Sequence, residues 1–378
     1  MNNKEEIMSK CIQLAFNGKG YTKTNPLVGA AVIKNGSAIY GIHEEYGKAH
    51  AEVNAIKNAG EQVAGSELFV TLEPCSTYGK TPPCVEKIIN SNIKKVYVGI
   101  LDVNSAHAGK GINVLKNAGI EVEYGIMAEE CSLLIEDFIK FHTYKLPYVT
   151  LKTAISLDGR IATHLNHSQW ITCEQSRNYV HKMRGETDVV LTGIGTILAD
   201  DPLMTYRGEK KYSQPVRVIL DSSLKIPLDA KIINSVDISP VIIYTSEKAD
   251  IKKIELLKSK NIQVLKVPLE NNMLDLHSVL SSLYDLGYMN VMVESGSKIN
   301  GSFFDKGLVD KLEIFIAPKI IGGANAIPVI GGKGIDYMSE AKILNILNME
   351  TCGSDIHITA KINDYTKSVI EFTKNYIA

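Results

Sequence analysis

Short apolar segments of strand length alternate with amphipathic segments of helix length along the whole chain, and the alternation runs twice, on either side of a break at Lys145-Leu146-Pro147. Such a rhythm is the pattern of α/β folds. In the first run, residues 25–33 read as a turn and a buried strand, 51–58 as a helix and 68–72 as a strand. Residues 84–89 open a helix whose Val85, Ile88 and Ile89 share a face; 95–100 read as a strand, 111–118 as a helix stopped by Gly119, and 120–124 as a strand. A helical stretch over 128–145 follows, with Leu133, Leu134, Phe138 and Phe141 on its apolar face. Past the proline the pattern predicts strands at 148–153, 189–192, 216–220, 241–244, 291–294 and 312–316, with helical stretches at 174–184 and 301–306. The boundary falls near residue 146 and gives domains of 1–146 and 147–378, each long enough to bury its own core.

Composition narrows the partners. Lys plus Arg (41) nearly balance Asp plus Glu (42), for a net charge of −1, so the basic excess of a duplex-binding protein is missing and no nucleic-acid partner is expected. The start, MNNKEEIMSKCIQLAF, carries acidic residues where a signal peptide needs cations, and no apolar run approaches the roughly 20 residues that cross a bilayer. A cytoplasmic protein without a membrane partner is expected. Six cysteines in 378 residues are too sparse for a disulfide scaffold, so clustered thiols invite a metal or catalytic reading.

One cluster has that character. His50-Ala51-Glu52 stands at the start of a predicted helix, and Pro74-Cys75 and Pro83-Cys84 follow, the last opening a second helix. One imidazole and two thiolates leave the fourth position of a tetrahedral zinc ion open, as in catalytic rather than structural sites, and water there would be acidified toward neutral pH. Residues two apart point about 200° away from each other in a regular helix, so His50 and Glu52 can meet only at a helix mouth. There the N-terminal dipole favours anionic groups, and the thiolate of Cys84 at the second helix start is favoured in the same way. Glu52 suits proton shuttling between attacking water and departing ammonia.

An HxE element alone arises by chance, and two cysteines alone read equally well as buried thiols. Together they resemble the zinc deaminases, although Cys84 stands nine positions after Cys75 where the general pattern is PCxxC. That spacing, with Thr22-Lys23-Thr24-Asn25-Pro26-Leu27-Val28-Gly29, Gly41-Ile42-His43 and Leu72-Glu73-Pro74-Cys75-Ser76 through Gly79-Lys80-Thr81-Pro82-Pro83-Cys84, resembles the pyrimidine deaminase of riboflavin biosynthesis. The resemblance implies zinc on His50, Cys75 and Cys84, Glu52 as acid/base, and Asn25, His43 and Lys80 near the substrate. It departs from the family at Thr24, Thr77 and Val103/Ser105, which bears on substrate contacts rather than on zinc.

In the second run Lys152 is the one cation of an apolar strand, which by itself reads as a solvated edge charge. Thr192-Gly193-Ile194-Gly195-Thr196 and Val293-Glu294-Ser295-Gly296-Ser297 each end a strand before a helix, where backbone N–H groups can hold phosphate. Neither is a full dinucleotide fingerprint. With residues 152–162, Ser168-Gln169-Trp170-Ile171-Thr172, the stretch from Gly193 through Asp200-Asp201-Pro202 to Arg207, and Leu220-Asp221-Ser222, they resemble the riboflavin-pathway reductase. The resemblance implies a fold similar to dihydrofolate reductase, with NADPH near Ala154, Trp170, Thr196, Asp200, Ser222 and Gly296. Substrate is implied near Ser168, Arg184, Met204, Arg207 and Glu294, where a guanidinium fork matches a sugar phosphate. Cys173 and Ser295 stand where the family has glycine, a departure that bears on cofactor affinity.

The expected architecture is therefore an N-terminal cytidine-deaminase-like α/β/α domain and a C-terminal dihydrofolate-reductase-like α/β domain. The expected function is zinc-dependent hydrolytic deamination of 2,5-diamino-6-(5-phosphoribosylamino)pyrimidin-4(3H)-one, then NADPH-dependent reduction of ribosyl to ribityl, with Lys152 positioning or transferring a proton. The family suggests a homo-oligomer. Two alternatives stand beside this reading: a nucleoside or tRNA base deaminase, and a non-catalytic zinc module joined to a nucleotide-binding regulatory domain.

Overall fold

The computed structural model describes residues 3–79, 81–104 and 107–376. The chain divides into two compact units, Met1–Lys145 with Tyr365–Ala378, and Leu146–Asp364. The first follows the order α1 (Asn3–Ala15), β1 (Gly29–Lys34), β2 (Ser37–Ile42), α2 (Ala51–Ala59), β3 (Glu67–Leu72), α3 (Cys84–Asn90), β4 (Lys95–Ile100), α4 (Lys110–Asn117) and β5 (Glu121–Tyr124). Where one helix is expected over 128–145 there are two, α5 (Ala128–Leu134) and α6 (Glu136–Tyr144), because Ile135 leaves helical geometry at φ −124°. Leu134 and Phe138 are buried, but Leu133, expected on the same apolar face, is exposed.

The five strands form one sheet in the order β2-β1-β3-β4-β5, with β1 antiparallel to both neighbours and β3, β4 and β5 parallel. Helices approach both faces so closely that glycine is required at two points. A Cβ on Gly29 would stand 2.1 Å from the Cys11 carbonyl oxygen of α1, and one on Gly41 would stand 2.2 Å from the Ala55 nitrogen of α2. Gly41 thus sets how α2, with His50 at its mouth, lies on the sheet.

The second unit contains β6 (Tyr148–Ser156), β7 (Arg160–Ala162), α7 (Glu174–Gly185), β8 (Val189–Gly193), α8 (Ile194–Asp200), β9 (Val216–Leu220), β10 (Val241–Thr245), α9 (Ile251–Ser259) and β11 (Gln263–Lys266). After the short β12 (Leu269–Glu270) and β13 (Met273–Leu274) come α10 (Leu276–Asp285), β14 (Asn290–Val293), α11 (Ser297–Asp305), β15 (Lys311–Ala317), β16 (Ile327–Pro328), β17 (Asn345–Cys352) and β18 (Asp355–Lys361). Nine strands form one sheet, β11-β10-β9-β8-β14-β6-β15-β18-β17, parallel from β11 to β15 and closed by antiparallel β18 and β17. Val189, Leu191, Val218, Val291 and Val293 enter one core cluster, while Val190, Ile219 and Met292 between them enter another. Strands buried on both faces read as continuous rather than alternating apolar runs.

Lys152 is not an edge charge, since β6 runs between β14 and β15. The C-terminal segment also departs from the expected domain of 147–378. The helix α12 (Thr366–Asn375) belongs to the first unit, where Thr373 Oγ1 accepts a hydrogen bond from the Leu101 N–H at 3.3 Å. Beyond it, the Tyr376 hydroxyl donates to the Gly109 carbonyl at 3.2 Å and accepts from Asn113 Nδ2 at 2.9 Å.

Gly41→Ala is expected to lower stability by about 1–3 kcal/mol, because the added methyl meets backbone that cannot rotate away. Denaturant unfolding of the variant against the parent chain checks this.

Candidate functional site

In the first unit two helix mouths face one another. His50 is the N-cap of α2 in extended conformation, and Cys84 is the first residue of α3 behind Pro83. Their side chains meet that of Cys75: His50 Nδ1 lies 3.5 Å from Cys75 Sγ and 3.3 Å from Cys84 Sγ, and the three donor atoms lie within 4.8 Å of one another. A tetrahedral zinc ion with Zn–N near 2.1 Å and Zn–S near 2.3 Å sets its nitrogen and sulfur ligands about 3.6 Å apart. The donor set fits zinc in both chemistry and spacing.

The protons are arranged accordingly. The Cys84 N–H donates to Cys75 Sγ at 3.3 Å, as a helix N-terminus does to an anion. The hydrogen bond from Cys84 and, against the effect of burial, that from His50 lower the Cys75 pKa to about 4. The same bond to Cys75, with burial, pushes the Cys84 thiol up. Glu52, in the first turn of α2, is 3 % exposed. Burial raises its carboxyl to about 7, partly opposed by the His50 charge. A carboxyl poised there can both accept and release a proton near neutral pH.

Asn25 and His43 join this group. His43 Nδ1 lies 3.0 Å from the Ala49 carbonyl oxygen, which only an N–H on that nitrogen can satisfy, leaving Nε2 to accept from Asn25 Nδ2 at 3.0 Å. Burial lowers the His43 pKa, which keeps the ring neutral, and it packs edge-on to His50 with centroids 5.2 Å apart. Lys80 lies outside the described residues. One anchor had no functional reading in the sequence: Glu73, 4 % exposed, accepts from the N–H groups of Asp102 at 3.1 Å, Gly109 at 2.9 Å and Ile112 at 3.2 Å. It ties the segment bearing Cys75 to the start of α4. Its signal was its place in Leu72-Glu73-Pro74-Cys75, between a strand and a metal ligand.

In the second unit the expected residues gather where the parallel strands end, the edge at which open α/β sheets bind ligands. Glu294, just past β14, accepts from Lys152 Nζ at 3.0 Å, Arg184 Nε at 3.0 Å and Arg184 Nη2 at 2.9 Å. Burial would raise the Glu294 carboxyl, but Arg184 and then Lys152 hold it well below the usual carboxylate range. Ala154 follows Lys152 on the same face of β6. Ser168 Oγ donates to Asp200 Oδ1 at 3.3 Å. Trp170 is 64 % exposed; its ring lies 4.8 Å from the Arg177 guanidinium carbon, and its carbonyl accepts from Lys319 Nζ at 2.8 Å.

Thr196 stands in the first turn of α8, Gly296 caps α11, and Ser222 follows β9 with its carbonyl accepting from the Ser246 N–H at 3.2 Å. A Cβ built on Gly195 or Gly296 meets nothing within 4 Å, so both helix mouths are open to a ligand, and Thr192 Oγ1 beside them is buried with no partner among the described residues. These features fit a dinucleotide pyrophosphate held by backbone N–H groups. Met204 is 3 % exposed and left-handed at φ 53°, so its side chain packs inward; Arg207 beyond it is exposed.

A zinc-deaminase centre in one unit and a nucleotide-facing parallel sheet in the other define a two-site deaminase and reductase. Comparison with known proteins agrees on both halves. Residues 1–100 match the family model of the cytidine and deoxycytidylate deaminase zinc-binding region, and residues 147–358 match that of the RibD C-terminal domain. The riboflavin biosynthesis protein RibD of Aquifex aeolicus is 43 % identical over 94 % of this chain and 98 % of its own, and that of Bacillus amyloliquefaciens 42 % identical over 94 % and 96 %. Acinetobacter baumannii RibD superposes with a TM-score of 0.85 at 34 % identity, covering 96 % of this chain and 99 % of its own. A diaminohydroxyphosphoribosylaminopyrimidine deaminase/5-amino-6-(5-phosphoribosylamino)uracil reductase of Thermotoga maritima superposes with a TM-score of 0.82 at 37 % identity, covering 95 % and 99 %. The chain belongs to the RibD family of bifunctional riboflavin-biosynthesis deaminase/reductases. Membership across both units sets aside the base deaminase and the non-catalytic zinc module. Among the described residues no helix is long and apolar enough to cross a membrane.

The depressed Glu294 pKa has a directional consequence. Its contribution to stability is fully present above the ordinary carboxylate value of 4.5 and is lost as pH falls below it toward the folded-state value. Glu294→Gln should therefore flatten the fall in stability below pH 4.5 and leave Lys152 and Arg184 unpaired at neutral pH, checked by denaturant unfolding across an acid series.

Proposed function

We propose that this chain deaminates 2,5-diamino-6-(5-phosphoribosylamino)pyrimidin-4(3H)-one in its first unit and reduces the ribosyl group of the deaminated product to ribityl with NADPH in its second. The observation that carries the reading is the meeting of His50, Cys75 and Cys84 at two helix mouths beside the buried Glu52. Zinc held by those three residues supplies Lewis acidity, which brings the pKa of water near neutrality. Glu52 takes the proton of the attacking water and returns it to the departing amine, so that water and an exocyclic C–NH2 become C=O and ammonia. Asn25, its amide oriented by neutral His43, and Lys80 contact the pyrimidine.

NADPH held in the second unit would supply the hydride needed at C1′ of the ring-opened sugar, present as an imine. Ala154, Trp170, Thr196, Asp200, Ser222 and Gly296 hold NADPH, while Ser168, Arg184, Met204, Arg207 and Glu294 surround the substrate. Lys152, held by Glu294, stands ready to supply the proton that accompanies the hydride. The half-buried position of Lys152 in a central strand and its ion pair at 3.0 Å support this role over that of a solvated charge. We further propose that the chain works in the cytoplasm as a homo-oligomer.

The test is direct incubation with the diaminopyrimidinone phosphate, where absence of both ammonia release and NADPH oxidation would overturn the reading. Glu52→Ala should slow ammonia release by about 100- to 10,000-fold with zinc still bound, measured by metal analysis alongside turnover. Loss of zinc in that variant would contradict the proton-transfer role. Chelation of zinc should stop ammonia release but leave NADPH oxidation intact when the deaminated intermediate is supplied.

A further inference from the structure

Two arginines of the second unit, Arg184 and Arg207, are candidates for the substrate's phosphate, and their surroundings differ. Arg184 turns Nε and Nη2 onto Glu294 and Nη1 toward the Thr205 carbonyl at 3.4 Å; its side chain is 12 % exposed. It shares that carboxylate with Lys152. Arg207 is exposed, and its Nη2 lies 3.2 Å from Nε2 of His181, one turn before Arg184 on α7. Since a guanidinium has only donors, the imidazole must accept there and so must be neutral.

The surroundings hold it neutral. Burial, then the charges of Arg184 and Arg207, lower the His181 pKa to about 4, with Glu294 acting weakly in the opposite direction. The backbone beneath Arg207 is fixed as well. Gln214 accepts from the Tyr206 N–H at 2.9 Å and donates to the Tyr206 carbonyl at 2.9 Å, and Arg217 Nη1 donates to the Leu203 carbonyl at 3.0 Å. A rigid backbone and a neutral acceptor leave Arg207 aimed, with no carboxylate paired to it among the described residues.

We propose that His181 is a positioning residue that orients Arg207 for the substrate's phosphate. This rests on the reading of the second unit as the reductase site. A pre-aimed guanidinium loses less freedom on binding, so the effect falls on affinity for phosphate rather than on hydride transfer.

The experiment compares His181→Leu, His181→Gln and Arg207→Ala in the full-length protein, reading KM and kcat of the reductase step and inhibition by inorganic phosphate. His181→Leu should raise KM about tenfold and weaken phosphate inhibition by a similar factor, with kcat falling far less. His181→Gln, whose side-chain carbonyl can accept from Arg207, should restore most of the loss. Activity on the dephosphorylated substrate should not respond to the Leu variant. His181→Leu with unchanged KM and phosphate inhibition, while Arg207→Ala raises KM and weakens phosphate inhibition, would overturn the role of His181 alone. An Arg207→Ala variant that leaves both unchanged would overturn Arg207 as the phosphate arm, and the proposal with it. Equal losses on phosphorylated and dephosphorylated substrate would reduce His181 to a structural role. Failure of NADPH oxidation in the unaltered protein would instead remove the underlying reading.

Discussion

The first N–H groups of an α-helix have no partner within the helix, and both candidate sites are built where a helix begins. At the mouths of α2 and α3 those groups favour the thiolate of Cys75, which accepts from the Cys84 N–H, while the bond to Cys75 and burial keep a proton on Cys84 and burial raises Glu52. At the mouths of α8 and α11 they face open space above strand ends that carry glycine. The difference lies in what precedes each helix. His50 brings a side-chain ligand to α2 and Pro83 sets Cys84 at the mouth of α3, whereas Gly296 leaves bare backbone before α11 and Gly193, against which Ile299 packs, has no room for a side chain before α8.

Three buried glutamates show how one side chain serves three purposes. Glu73 is surrounded by backbone N–H donors and acts as a structural anchor, its bonds replacing the water it lost. Glu294 faces two cations and stays ionised, fixing their positions. Glu52 has neither compensation in full, so burial decides and its pKa rises to about 7. Burial raises Glu73 as well, but its carboxyl is held by backbone N–H groups, so Glu52, raised to about 7 beside the zinc donors, is the one suited to acid/base work.

Strands such as Lys95–Ile100 and Val216–Leu220 were legible in the sequence to the residue, because a continuous apolar run flanked by turn or polar residues has few other uses. The grouping of His50, Cys75 and Cys84, whose donor atoms meet, was legible because each stands in a short motif that resembles the zinc deaminases. The hairpin of β17 and β18 was not: nearly every residue of β17 is exposed, so no burial pattern betrays it. The break at Ile135 escaped because it interrupts a helical period without glycine or proline. The placement of α12 depends on Thr373 and Tyr376 meeting residues more than 250 positions away, which no local pattern encodes. The pairing of His181 with Arg207 escaped for the same reason.

A near-zero net charge says little about anion recognition once the arginines are taken one at a time. Arg217 is fully buried, its guanidinium donating to carbonyls of Leu203, Ser235 and Ser239 and to the Ser235 hydroxyl, so its charge holds loops together and never meets a ligand. Arg184 shares the single negative charge of Glu294 with Lys152. Arg207 alone of the three is aimed by a neutral group, and an imidazole can fix a guanidinium without cancelling its field. A carboxylate in the place of His181 would aim Arg207 as well but would compete with a phosphate for the same N–H groups. The choice of a buried, uncharged acceptor therefore separates an arginine that builds the site from one that remains available to a substrate.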